Sequence, residues 1–365
     1  ILGGGMDRVA NGELETRIAH YVRTWLDDTG LTNKDTCPTK DDLLIYANSL
    51  PRTIDTGKHF VKGAFPDCDI KVHNLEEVGK MDNTFNPIVR SPVDAAFTEK
   101  AEKSIDQMLG DGGFAKLNER LAKNYAILEN VLDYDHSATC EKEKQCDLEK
   151  IPNILTFAQD KEPGTKGPLR NGTGAADSFI LQYYEGYPAG EVAWGKIRTP
   201  EQWQAIVDLK NIYTDVLFTS PVLAKETASP LLAFIQNSFA DHGYQHPLIK
   251  DAQKAKITLL VGHDSNVASL LALLQAAPYQ LPDQYEKTPI SGKVLFEQWR
   301  DKDGKALLKI EYVYQTTQQL REDSELSLKN PPQRVPLKLE GCPTDANGFC
   351  PMDDFNRVAD AALKP

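Results

Sequence analysis

The stretch Ile257-Thr258-Leu259-Leu260-Val261-Gly262-His263-Asp264-Ser265-Asn266-Val267 runs from five strand-forming residues, through a glycine, into residue types that begin helices. A short apolar run bounded by turn signals reads as a buried strand, and the spacing predicts a helix from Val267 to about Leu274. The same order recurs at Leu43 to Ala47, a second buried strand. It is followed by Asn48 and Ser49, both capping types, and by Pro51, which a helix tolerates in its first turn. Two such strand-to-helix turns mark an α/β protein with an open sheet, where ligands bind beyond the carboxyl ends of the strands.

The 365 residues exceed one ordinary domain of about 150. Apolar residues at 41% and charged residues at 26% are globular values, which excludes disordered and fibrous classes. Lys and Arg number 41 against 53 Asp and Glu, a net charge of −12. That sign opposes nucleic acid and anionic membrane surfaces as partners, so any bound anion must be held by local charge. The longest uncharged stretch, Ser265 to Pro282, contains Asn266, Gln275, Gln280 and two prolines and fails as a membrane span. The opening Ile1-Leu2-Gly3-Gly4-Gly5 lacks a charged segment followed by an apolar one, and a processed or truncated start is expected.

Cys37, Cys68, Cys140, Cys146, Cys342 and Cys350 make an even set with no Cys-x-x-Cys pattern, and no histidine flanks them at zinc spacing. They point to disulfides in an exported protein, with no metal and no cofactor. Fifteen pairings are possible, and proximity favours Cys140 with Cys146 and Cys342 with Cys350.

Leu14, Ile18, Tyr21, Val22, Trp25 and Leu26 repeat at helical spacing in a helix that begins near Asn11 and ends near Gly30. From Val93 to Phe218 helical patterns dominate, including a capping box at Thr199 to Gln202 with Pro200 in the first turn. Phe157 to Thr173, with its Pro-Gly and Gly-Pro pairs, is expected to be one long loop. A further helix starts at Pro221. Val294 to Trp299 and Leu307 to Tyr314, joined through Asp303-Gly304, read as a hairpin. The expected architecture is a mixed central sheet flanked by helices, built from residues 1–92 and 219–365, with a smaller all-α domain inserted at 93–218.

Arg52 stands at the start of its helix, where a cation is disfavoured unless an anion neutralises it. His263 and Asp264 stand at the carboxyl end of their strand. Together they offer an anion clamp beside a carboxylic acid. From spacing alone the alternative stays open that Arg52 is solvated in an ordinary turn and that His263 and Asp264 are a cap and a surface pair.

Gly262-His263-Asp264-Ser265-Asn266 resembles the His-Asp signature of the histidine acid phosphatases, branch two of the histidine phosphatases. Ile45 to Thr53 resembles the family's strand-to-helix segment with its phosphate-binding arginine. Cys68-Asp69-Ile70, Met81 to Pro87, Leu181 to Gly186, Lys309 to Gln315, Gly341-Cys342-Pro343 and Gly348 to Pro351 are most similar to the bacterial periplasmic glucose-1-phosphatases, with phytases next. The resemblance implies hydrolysis of phosphomonoesters through a phosphohistidine. Arg52 and His263 would bind phosphate, and Asp264 would be general acid and then base, with an acidic optimum because a carboxylic acid is protonated only in acid. It also implies the pair Cys37–Cys68, a periplasmic location and a small phosphorylated sugar as partner. Glu185 resembles the position of a carboxylate at the cleft mouth that repels additional phosphates, which favours glucose 1-phosphate over inositol hexakisphosphate. No oligomeric state follows.

One departure stands out. The family's Arg-His-x-x-Arg-x-Pro motif, with the nucleophilic histidine on the first strand, is absent: none of His20, His59, His73, His136, His242, His246 and His263 follows an arginine. Because Arg52, His263 and Asp264 are retained, truncation with loss of that strand is the expectation, and the 365-residue chain is expected to show no turnover. A phosphosugar-binding protein without catalysis and an unstable fragment are the rival readings.

Overall fold

The computed structural model describes residues 12–365. The readings of Asn11 as a helix start and of Ile1 to Gly5 as a processed start lie outside them. Helix α1 (Glu13–Thr29) buries Leu14, Ile18, Tyr21, Val22 and Leu26 and stops at Gly30, whose left-handed φ of 81° suits a helix end. Strand β1 (Leu43–Ala47) is buried at every position. Leu43, Ile45 and Ala47 pack with α1 and with α2 (Pro51–Ala64), whereas Leu44 and Tyr46 point into a cluster containing Leu231, Leu232, Leu270 and Leu271. Successive side chains of a strand alternate faces, so helices on both sides make the run apolar throughout.

After the short β2 (Val72–His73) come α3 (Ala95–Leu109), α4 (Ala122–Leu132), a hairpin of β3 (Ile154–Thr156) and β4 (Gly164–Lys166), α5 (Pro168–Tyr184) and α6 (Pro200–Phe218). The helices share an apolar cluster that includes Ile105, Leu128, Phe179, Ile206 and Leu217. Thr199 and Gln202 cap α6 reciprocally, as their spacing predicts. The expected loop from Phe157 to Thr173 is corrected: it contains β4 and the start of α5. Gly167 (φ 124°) turns the chain and Pro168 takes the first helical position, while Asn153 Oδ1 accepts the Leu169 N–H at 3.0 Å. Gly167-Pro168 thus opens a helix. The segment expected to be all-α therefore carries a two-stranded hairpin as well.

Helix α7 (Pro221–Phe239) contains Pro230, which has no N–H to give to the carbonyl of Glu226. Arg90 Nη1 takes that carbonyl at 2.6 Å instead. The Glu226 carboxylate accepts the backbone N–H groups of Arg90 and Ser91 at 3.0 and 2.7 Å, and Arg90 Nη2 donates to the carbonyls of Asn83 and Asn86. Residues 81–91 are held by this clamp next to the strand ends.

Strand β5 (Ile257–Val261) pairs in parallel with β1, Ala47 opposite Val261, in the order β2-β1-β5. Helix α8 (Asp264–Leu273) begins three residues before the expected Val267, because Asn266 Oδ1 accepts the His263 N–H at 2.9 Å and caps the first turn. Strands β6 (Lys293–Arg300) and β7 (Ala306–Tyr314) form the expected hairpin. On its other edge β7 pairs antiparallel with β8 (Gln333–Pro336) and β9 (Phe349–Pro351), and α9 (Met352–Leu363) ends the chain. The mixed α/β architecture is thus present, with its strands divided between a parallel and an antiparallel sheet. Among the described residues β5 bonds only β1, β6 bonds only β7, and both line one cleft of about 1250 Å³.

Cys37–Cys68, Cys140–Cys146 and Cys342–Cys350 are bonded as expected. The first ties the segment before β1 to the end of α2, closing a sequence separation of 31. Constraining an unfolded loop of that size stabilises by about 3–4 kcal/mol. Replacing both Cys37 and Cys68 by Ser should lower the unfolding free energy in urea by that order. Among the described residues no helix is long and apolar enough to cross a membrane.

Candidate active site

The parallel register sets Asn48 and Gly262 side by side just past the ends of β1 and β5, and the Asn48 N–H donates to the Val261 carbonyl at 3.0 Å. Asn48 and Ser49 do not cap α2. Leu50 occupies the cap position, and the Asn48 side chain turns inward to the Ser49 and Asp82 N–H groups and to His263. Arg52 is left exposed in the first turn of α2. Gly262 is required by close approach: a Cβ there would lie 2.5 Å from Asn266 Oδ1 and 2.8 Å from Phe85. His263 and Asp264 follow at the head of α8. The structure therefore brings Arg52, His263 and Asp264 to one end of the β5–β6 cleft, where ligands of open α/β sheets bind.

Burial, with the Arg52 charge adding to it and Asp264 opposing, pushes His263 down to about 4. A folded-state value below the ordinary 6.5 means that the unfolded chain takes up a proton the folded one refuses. The resulting stability is complete above pH 6.5 and is lost as the pH falls to about 4, in total about 3 kcal/mol. Urea titrations over that range should show a loss in the wild type that is largely missing in His263→Gln.

Helix α5 presents Asp177, Ile180, Leu181 and Tyr184 to the cleft. These recur at helical spacing, and Glu185 continues it one turn beyond Leu181: it is buried (8% exposed) and ends the helix. A different carboxylate stands near the clamp. Glu162 lies in the exposed loop between β3 and β4, and its carboxyl is raised by desolvation, with Arg52 opposing and Asp264 adding to the rise. On the cleft wall Lys210 Nζ holds Glu286 at 2.6 Å and Asp177 at 2.7 Å. Burial disfavours its charge, but Glu286, Asp177 and Asp264 outweigh that and keep it protonated. Asn48 reads from the sequence only as a capping type, and Glu162 and the Lys210 cluster carry no spacing signal. Chemically, a guanidinium, an imidazole and a carboxyl at two helix starts can hold a tetrahedral anion and exchange a proton with it.

The histidine phosphatase superfamily (branch 2) matches residues 14–315. A glucose-1-phosphatase of Salmonella typhimurium is 45% identical over 363 residues, covering 99% of this chain and 84% of its own. One from Providencia rettgeri is 43% identical over 355 residues, or 97% and 82% of the two chains. The phytase AppA of Escherichia coli is 32% identical over 361 residues, again 97% and 82%. The apo form of Hafnia alvei phytase superposes with a TM-score of 0.90 at 29% identity, covering 97% of this chain and 86% of that one. Similarity along the whole chain makes this protein a member of the histidine phosphatase superfamily, branch 2.

Proposed function

We propose that the intact protein is a periplasmic acid phosphomonoesterase acting on singly phosphorylated sugars such as glucose 1-phosphate. The observation that carries this reading is the convergence of Arg52, His263 and Asp264 at the cleft. Arg52 and His263 bind phosphate oxygens, where charge stabilisation is worth most in a desolvated site. Residues 93–218 form a helical cap over an α/β domain of 1–92 and 219–365.

The nucleophile is a histidine outside these 365 residues, carried by a strand that occupies the cleft between β5 and β6. Support comes from the walls: Leu259, Leu260 and Val261 on one side and Val294, Leu295 and Phe296 on the other belong to strands that each have one edge unpaired among the described residues. A strand seated there would bond both edges and deliver its carboxyl end beside His263. Its imidazole nitrogen attacks phosphorus while the bond from phosphorus to the sugar oxygen breaks and Asp264 gives that oxygen its proton. Water then attacks phosphorus, the bond from phosphorus to the histidine nitrogen breaks, and the Asp264 carboxylate takes a proton from that water as phosphate forms.

Glu185, one helical turn after the cleft-facing Leu181, is a candidate for selectivity, and Glu162 joins it because its charge interacts with both Arg52 and Asp264. It disfavours further phosphates through like-charge repulsion, worth about 1 kcal/mol in water and more where desolvated. In the intact enzyme Glu162→Gln should raise the rate on inositol hexakisphosphate relative to glucose 1-phosphate by about tenfold. An unchanged ratio of the two kcat/KM values removes Glu162 from this role, and Glu185→Gln tests the other carboxylate in the same way.

A further inference from the structure

Asn48 is fully buried at the end of β1. Its Oδ1 accepts the N–H groups of Ser49 and Asp82, each at 2.9 Å. Its Nδ2 lies 3.3 Å from the Met81 sulfur, and a thioether can only accept. These three partners settle which end of the amide is oxygen. The other Nδ2 contact is His263 Nε2 at 2.7 Å. A ring nitrogen facing an N–H donor at that distance offers its lone pair; the nearby Asn266 N–H is bonded to the His263 carbonyl at 3.0 Å and makes no bond to the ring, so the proton of the neutral ring sits on Nδ1.

We infer that Asn48 is a positioning residue that holds His263 as the neutral Nδ1–H tautomer, leaving Arg52 as the cation beside Asp264. The ionisable groups that act on the ring are Arg52 from the first turn of α2 and Asp264 from α8. Glu162, from the β3–β4 loop, interacts with both of those groups, and Lys210 and Glu286 interact with Asp264. Arg52 acts in the same direction as Asn48, and Asp264 acts against them. In a site working in acid, an unconstrained histidine would be an imidazolium and would set a second positive charge beside Asp264. A neutral ring still donates Nδ1–H and adds no charge. This consequence rests on the phosphatase reading, whereas the tautomer assignment does not.

Asn48→Asp separates the structural role from the protonic one. A carboxylate oxygen still accepts from Ser49 and Asp82, but the other oxygen faces Nε2 as an acceptor and calls a proton onto it. The test is long-range proton–nitrogen NMR of the nitrogen-15 histidine-labelled 365-residue chain between pH 7 and 4, with His263→Gln to assign the signal. The wild type should show Nδ1–H with an unprotonated Nε2, titrating near 4, and Asn48→Asp should show a protonated Nε2 and titrate above 6.5. A proton on Nε2 in the neutral wild type overturns the proposal, and so does an identical His263 titration in the two proteins. If the variant does not fold, the wild-type tautomer decides alone. Inorganic phosphate added to the same samples separates the two readings: signals that ignore it count against His263 as a phosphate ligand and leave the tautomer result standing.

Discussion

Asp264→Asn in the intact enzyme should lower kcat on glucose 1-phosphate by about 10²–10⁴-fold, the usual contribution of a positioned proton donor. An amide keeps the size and most hydrogen bonds of the carboxylic acid but cannot transfer the proton that the departing sugar oxygen needs. The loss should therefore depend on the leaving group. p-Nitrophenyl phosphate expels a phenolate that leaves largely without help, so its first step should suffer much less than that of the sugar ester. Dephosphorylation of the phosphohistidine, where Asp264 acts as base, should slow for both substrates alike, and single-turnover kinetics would resolve the two steps. Equal losses in the first step for the two leaving groups would take Asp264 out of the acid role. The placement behind the expectation is structural: Asp264 opens α8 at the cleft and shares charge interactions with Lys210, Glu286 and Glu162.

Much of this site is legible in the sequence because its geometry is local. β1 and β5 are continuous apolar runs ending in turn residues, and two parallel strands put Arg52, His263 and Asp264 at the same end of a sheet. What escaped reading depends on contacts between distant segments. Asn48 has the composition of a helix cap, and only the pairing of Ala47 with Val261 and the clamp on residues 81–91 turn it toward His263. Glu162 comes from a hairpin loop, where no periodicity marks a residue. Gly167-Pro168 carried a loop signal that was the opening of α5. The separation of β5 from β6 has no counterpart in either strand's sequence, since an edge and an interior strand can share one apolar pattern.

If Arg52, His263 and Asp264 form a phosphate site completed by a histidine on a strand seated between β5 and β6, activity depends on that strand. The most direct test is p-nitrophenyl phosphate turnover by the pure 365-residue chain, alone and then extended by a preceding segment that carries Arg-His-x-x-Arg-x-Pro. The chain alone should show no turnover above background and phosphate binding that is lost in Arg52→Ala, and the extended protein should reach a rate of at least about 1 s⁻¹. Steady turnover by the 365-residue chain itself, abolished by substituting one of its own histidines, would contradict that dependence.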